Sequence, residues 1–209
     1  PCRIIAITGS DGKTTTSTIT AELLRAQGYT VHLGGNIGTP LFDRIADIRP
    51  DDFAVLELSS FQLHSMHCAP DVAIITNISP NHLDVHPDLE DYVSAKCSIY
   101  RGQRPDGVLV LNAKDAHTPR FAAEAPGSVR YFSSVGPVEN GVYCSDGVIY
   151  RAHGGKAEKL IDVSDIRIPG AHNVENYMAA FAAVRGLVSY ETMRKIARTF
   201  GGVEHRIEL

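Results

Sequence analysis

The chain has 209 residues, with 20 basic against 24 acidic side chains, a formal net charge of −4 and 44% hydrophobic residues. That length suits one large domain with a self-sufficient core, and the charge balance gives no electrostatic footprint for nucleic acid or an anionic membrane. Four scattered cysteines without a C-x-x-C pair argue against a zinc ribbon or disulfide framework and for a reducing cytoplasm, and no apolar run approaches membrane-spanning length.

A strand-like run at 3–7 is followed by a helical pattern over 14–27, then by a strand at 30–33 and a helix-patterned stretch at 39–48. Residues 53–58 and 72–78 are near-continuous apolar runs, as strands buried on both faces of a parallel sheet require. A helix over 88–100 and a further buried strand at 107–111 come next. From about 129 to 169 short alternating runs are separated by Asn-Gly, Asp-Gly and Gly-Gly, which predicts a small antiparallel β element. Helical periodicity returns at 173–186 and 191–199. The fold class expected is α/β, P-loop-type and doubly wound, with a mostly parallel sheet flanked by helices. The chain opens on Pro1-Cys2-Arg3 and closes on "EHRIEL", so it is expected to be cut from a longer protein.

The stretch "IIAITGSDGKTTTSTITAELL" places Gly9-Ser10-Asp11-Gly12-Lys13-Thr14 between the first strand and the first helix. Gly9 and Gly12 permit positive φ and close backbone approach, so that N–H groups converge on an anion beside a helix N-terminus. Lys13 can reach the β/γ-phosphates and the Thr14 hydroxyl can ligate Mg²⁺. The common P-loop pattern nevertheless wants a glycine where Ile7 stands, and a plain strand–helix turn would read the same way.

In "FAVLELSSFQL", Glu57 ends an apolar strand, where a carboxylate is tolerated if it is paired or holds a metal; otherwise it faces solvent at a fraying end. In "IITNISPNHLDVHP", His82, Asp84 and His86 alternate, which suits zinc on a strand, whereas Pro80 and Asn81 favour a loop with His82 near Mg²⁺ or phosphate. Lys96 in "EDYVSAKCSIY" stands on a helix among apolar neighbours, and an exposed lysine is the default. In "PGAHNVENYMAAFAAV", Asn173 and Asn176 stand at a helix start, where N-capping is the plain reading of Asn173 and adenine contact the functional one. Arg206 offers a guanidinium fork for phosphate.

These pieces, in this order, resemble the central ATP-binding domain of the Mur ligase family. The "GSDGKTT" loop is similar to that family's shortened phosphate loop, with Asp11 where Asn is more familiar, and the resemblance spans essentially the whole chain. "GGNIGTPL" and "LELSSFQL" resemble most the member that joins D-glutamate to UDP-N-acetylmuramoyl-L-alanine in peptidoglycan precursor synthesis. The resemblance implies ATP bound by Gly9, Ser10, Asp11, Gly12, Lys13, Thr14, Thr15, Asn173, Asn176 and Arg206. It implies one Mg²⁺ at Thr14 and Glu57, and a second at His82 and a carbamylated Lys96, with Lys13, His82, Lys96 and Arg206 serving catalysis. Asn36 and Ser59 would face the muramoyl substrate. The family's N-terminal UDP-binding and C-terminal ligase domains do not fit in this chain, and ligation by the isolated domain is not expected.

Two alternatives stand beside this reading. One is another amide ligase of the superfamily, of the folylpolyglutamate synthetase kind. The other is a non-catalytic nucleotide-binding module, against which Glu57 and His82 beside the loop both argue. A switch GTPase is disfavoured because no Asn-Lys-x-Asp motif occurs.

Overall fold

The computed structural model describes residues 2–37, 41–79 and 86–203. His82, Asp84 and Arg206 lie outside the described residues. Among the described residues one nine-stranded sheet runs in the order β2-β3-β1-β4-β5-β6-β7-β8-β9. Its first five strands are β1 (Arg3–Thr8), β2 (Val31–Gly35), β3 (Phe53–Glu57), β4 (Val72–Ile75) and β5 (Val108–Asn112). They continue into β6 (Ser128–Ser133), β7 (Gly141–Ser145), β8 (Val148–His153) and β9 (Lys156–Asp162). Every pairing from β2 across to β7 is parallel, and only β7–β8 and β8–β9 are antiparallel.

Helices cover both faces. On one lie α1 (Lys13–Ala26), α5 (Ala171–Ala183) and α6 (Tyr190–Thr199), packed through Ile19, Leu23, Tyr177, Phe181 and Met193 against Ile5, Ile7, Val55, Ile74 and Val110. On the other, α2 (Ser60–Ser65), α3 (Leu89–Arg101) and α4 (Thr118–Glu124) pack Leu63, Val93, Cys97, Tyr100 and Phe121 against Ala6, Ala73, Leu109 and Leu111. Residues alternating along each strand therefore belong to different cores, which is why the central strands read as unbroken apolar runs. The four cysteines carry no disulfide. Among the described residues no helix is long and apolar enough to cross a membrane.

Several expectations are corrected. The strand expected over 72–78 ends at Ile75, because Thr76 and Asn77 turn away to bond the loop after β1. The helix expected over 39–48 is a 3₁₀ stretch, Leu41–Asp47. The small antiparallel element expected near 129–169 is present as β7–β8–β9 and continues the main sheet, since β6 adds in parallel to β5 and β7 to β6. Helices α2 and α4 went unread. Both had short-range signals: Ser59 and Gln62 form a capping box at α2, and a proline stands in the first turn of α4.

α1 starts from a threonine-rich sequence of modest helix propensity. Its hydroxyls are satisfied along the helix, with Ser17 and Thr18 donating to the Thr14 carbonyl and Thr20 to that of Thr16. Burial of Ile19, Leu23 and Leu24 holds the helix in place.

Candidate active site

Strand order reverses around β1: the chain places β2 and β3 on one side of it, then crosses to β4 on the other. A doubly wound sheet opens a crevice at the carboxyl ends of its strands at such a point. The loop 9–12 leaves β1 there and enters α1, with Gly12 as N-cap in the left-handed region at φ 78°. Gly9 has φ 148°, and a β-carbon on it would run into Oγ1 of Thr76; one on Gly12 would run into Oδ1 of Asn176. The two glycines are thus required by close packing from opposite sides as well as by backbone conformation.

The segment after β4 clamps the loop. Ser10 N–H donates to the Asn77 carbonyl (2.9 Å) and Asp11 N–H to Oδ1 of Asn77 (3.0 Å). Nδ2 of Asn77 and Oγ1 of Thr76 donate to the Asp11 carbonyl at 3.0 and 2.6 Å. The Ser10 hydroxyl meets the Ser79 backbone and the Tyr92 hydroxyl (2.8 Å). With the N–H groups of Ser10 and Asp11 engaged, the donors directed at an anion are those of the first turn of α1, ahead of the Thr16 N–H to Gly12 carbonyl bond (2.9 Å). Gly12 brings no side-chain cap to that helix end.

Two lysines meet at the loop. Nζ of Lys13 donates to the carbonyls of Gly9 (3.0 Å) and Ser10 (2.8 Å), and Nζ of Lys96 donates to the same Gly9 carbonyl at 2.9 Å. Contrary to the exposed default, Lys96 is only 2% exposed, lying 4.5 Å over the Tyr92 ring. Burial, and then the neighbouring Lys13 charge, push its pKa down to about 7, with Asp11 opposing. Near neutral pH a large fraction of Lys96 is therefore a neutral amine, the form that reacts with CO₂.

Glu57 ends β3 beside Ile7 of β1, 1% exposed rather than solvent-facing. Its Oε1 accepts from Nδ2 of Asn36 at 3.4 Å, and its Oε2 is buried with no hydrogen-bond partner among the described residues. A buried carboxylate oxygen left unsatisfied is costly, so the residue fits a cation ligand. Among the described residues no group of three or more His, Cys, Asp or Glu is placed to hold a metal ion; Mg²⁺ keeps waters and phosphate oxygens in its shell. His86 does not suit zinc, because its ring nitrogens are engaged by Asp91 (2.6 Å) and Ser60 (2.9 Å) inside the protein.

Residues 7–184 match the family described as the Mur ligase middle domain. The chain belongs to the Mur ligase family. This Mur ligase domain is 52% identical over 209 residues to the UDP-N-acetylmuramoylalanine–D-glutamate ligase of Acetivibrio thermocellus, covering all of this chain and 45% of that protein. To the enzyme of the same name from Clostridium botulinum it is 49% identical over 207 residues, covering 99% of this chain and 44% of that protein. The chain thus spans less than half the length of these relatives. Among solved structures it is similar to a UDP-N-acetylmuramoyl-L-alanyl-D-glutamate–2,6-diaminopimelate ligase, with TM-score 0.80 and 25% identity over 99% of this chain and 48% of that one. A UDP-N-acetylmuramoylalanyl-D-glutamyl-2,6-diaminopimelate–D-alanyl-D-alanyl ligase from Acinetobacter baumannii shares the fold, with TM-score 0.74 and 24% identity over 97% and 47% of the two chains.

The Mur ligase domain brings Gly9, Ser10, Asp11, Gly12, Lys13, Thr14, Thr15, Asn36, Glu57 and Lys96 to one end of the sheet, together with Asn176. Asn173 is not the N-cap of α5, which is Gly170; its Nδ2 instead donates to the Pro169 carbonyl (2.6 Å). Asn176 is buried, its Oδ1 accepting from Thr16 (3.2 Å) and its Nδ2 donating to Asn173 (3.3 Å), so it braces the loop from behind. Ser59 caps α2, with Oγ accepting from the Gln62 N–H at 3.3 Å. Thr76, Asn77 and Ser79 were missed by sequence reasoning; the polar run directly after the buried strand β4, in "IITNIS", was the available signal.

Proposed function

We propose that this Mur ligase domain is the ATP-binding core of a cytoplasmic ligase that joins D-glutamate to UDP-N-acetylmuramoyl-L-alanine in peptidoglycan precursor synthesis. The observation that carries the reading is the convergence of Lys13 and the buried Lys96 on the Gly9 carbonyl of the phosphate loop. The choice of substrates rests on the relatives, at 52% and 49% identity, whose names give that reaction.

In the reaction the acceptor's carboxylate oxygen attacks the γ-phosphorus of ATP, ADP leaves, and an acyl phosphate remains. The amine of D-glutamate then attacks the acyl carbon, loses a proton and expels phosphate, leaving an amide. Two anions must meet in the first step, so electrostatic stabilisation is what this domain supplies. Lys13 exchanges its loop carbonyls for the β/γ-phosphates. The first turn of α1 faces the phosphate chain with its N–H groups, and Gly9 and Gly12 let that chain approach the backbone. Arg206 adds a further guanidinium, and Asn173 and Asn176 flank the adenine side.

Thr14 and Glu57 would hold one Mg²⁺, and His82 with a carbamylated Lys96 a second; bound there, the metals would offset the charge of the transferring phosphoryl group. For carbamylation the neutral Lys96 nitrogen bonds the carbon of CO₂ and releases one proton, turning a cationic position into an anionic ligand. Asn36 and Ser59 face the acceptor. Because the chain spans 45% of its relative, an N-terminal domain holding the uridine nucleotide and a C-terminal domain closing over ATP complete the proposed enzyme, and the middle domain alone does not ligate.

The test is phosphate release by the full-length parent enzyme with ATP and Mg²⁺, supplying UDP-N-acetylmuramoyl-L-alanine and a panel of amino acids. Release that depends on both that acceptor and D-glutamate is expected, and is abolished by chelating the metal. Release with a folate-type acceptor instead would overturn the substrate assignment, and none with any pair would return the chain to a binding module.

A further inference from the structure

At the opposite end of the sheet from the phosphate loop, three arginines gather. Arg130 on β6 and Arg151 on β8 project onto the face that α5 covers, since their register partners are the core residues Val110 and Val142. Arg185 follows directly on the end of α5. Oδ1 of Asn140 accepts from Nη1 of Arg185 at 2.6 Å and also meets Nδ1 of His153 at 3.2 Å, drawing both toward one point. Nη1 of Arg130 donates to the carbonyls of Ala182 and Ala183 at the α5 C-terminus, and its Nε is buried without a partner among the described residues. Nη1 of Arg151 bonds the Tyr190 hydroxyl and Oε2 of Glu158 (3.2 Å), while its Nε is likewise buried and unpartnered.

A cavity of about 540 Å³ opens here, lined by Arg151, His153, Arg185, Leu187, Ser189 and Tyr190. Its far wall is the N-terminal end of the ten-residue helix α6, capped by Ser189. Glu158, held by Arg151 and the Tyr190 hydroxyl, and Glu191 in the first turn of α6 stand near this cavity, and Asp71 and Asp106 line a neighbouring one with Arg130 and Arg185. Neither Arg130 nor Arg185 has a carboxylate partner among the described ion pairs. Mutual repulsion is therefore left standing: burial first, then the neighbouring arginines, lower the pKa of Arg130 to about 10 and also lower that of Arg185.

We propose that this cavity is a second anion site, remote from the phosphate loop, that takes a small phosphomonoester. Guanidinium forks and a helix N-terminus match phosphate oxygens, and the Tyr190 ring with Leu187 and Val188 offers an apolar wall for the group that carries the phosphate. The phosphoryl group adds a counter-charge beside Arg151 and Arg185, the two arginines that line the cavity.

The experiment titrates phenyl phosphate and, separately, inorganic phosphate into the chain at ~150 mM salt, followed by calorimetry. The same titrations are run on Lys13→Ala, which disables the phosphate loop, and on Arg185→Gln and His153→Ala. Saturable binding that survives Lys13→Ala and weakens at least about tenfold in Arg185→Gln is expected, with unchanged thermal unfolding of that variant showing an intact fold. Tighter binding of phenyl phosphate than of phosphate assigns the site to the ester; equal binding assigns it to the phosphoryl group alone and overturns the apolar-wall part. Binding lost with Lys13→Ala but kept in both Arg185→Gln and His153→Ala, or no saturable binding at all, overturns the site.

Discussion

Burying an amine strips the charged form of its hydration, and at Lys96 one carbonyl, the Thr8 hydroxyl at 3.5 Å and one aromatic face replace what water supplied. The sign of the pH effect follows. Below about 7 the lysine is protonated folded and unfolded, and the burial cost is borne in full. Between about 7 and 10.5 the unfolded chain holds a proton that the folded chain lacks, so stability rises with pH across that window. In CO₂-free buffer Lys96→Met is expected to be more stable than wild type at pH 6, with the advantage shrinking by on the order of 4 kcal/mol toward pH 10.5 in denaturant titrations. A pH-independent difference would mean that Lys96 is not buried as a lone amine. Lys13→Ala acts on chemistry instead: kcat/KM of the parent enzyme is expected to fall by the equivalent of about 3 kcal/mol, with near wild-type turnover removing Lys13 from the mechanism. The sequence displayed Lys13 through its glycine-flanked loop. It hid Lys96, because a lysine among Val93, Ala95 and Ile99 looks the same whether the helix turns it outward or over a neighbouring loop.

The loop between β1 and α1 and the segment after β4 act as one element, tied through Asp11, Thr76 and Asn77. Gly9→Ala forces a β-carbon into Thr76 and onto a φ of 148°, and is expected to cost at least about 2 kcal/mol in equilibrium unfolding and to weaken ATP binding. A fully stable variant would show that the loop relaxes freely. On α5 the Tyr177 hydroxyl is buried without a partner among the described residues, inside a helix of alanines packed against α1 and the sheet. Tyr177→Phe should therefore raise stability by about 1 kcal/mol, read from the denaturation midpoint; a loss would reveal a water or other partner for that hydroxyl. Element type was legible wherever periodicity was long, as in α1, α3 and α5. It failed at α2 and α4, too short for a periodic signal to emerge, and at 39–48, where a helical pattern folded as 3₁₀.

Across the whole molecule, β6 and β7 carry the parallel sheet without interruption into the β7–β8–β9 meander, and α5 packs over β5, β6 and β7 alike. One cooperative thermal transition is expected, with calorimetric and van't Hoff enthalpies in agreement; two transitions would show that the meander unfolds as its own unit. The hairpin signals at Asp146-Gly147 and Gly154-Gly155 correctly marked the two antiparallel pairings, because those turns are set by residues adjacent in the chain. The sequence by itself determined the α/β class, the glycine-flanked loop between β1 and α1 and the strand-end position of Glu57, since glycine conformation and apolar runs are local properties. Only the tertiary structure decided that β6 joins the main sheet, that Asn77 and Thr76 clamp the loop, that Lys96 is buried beside Lys13, and that three arginines gather behind α5. Those outcomes depend on strand order and helix rotation, which bring residues dozens of positions apart within hydrogen-bonding distance, and no local pattern encodes that meeting.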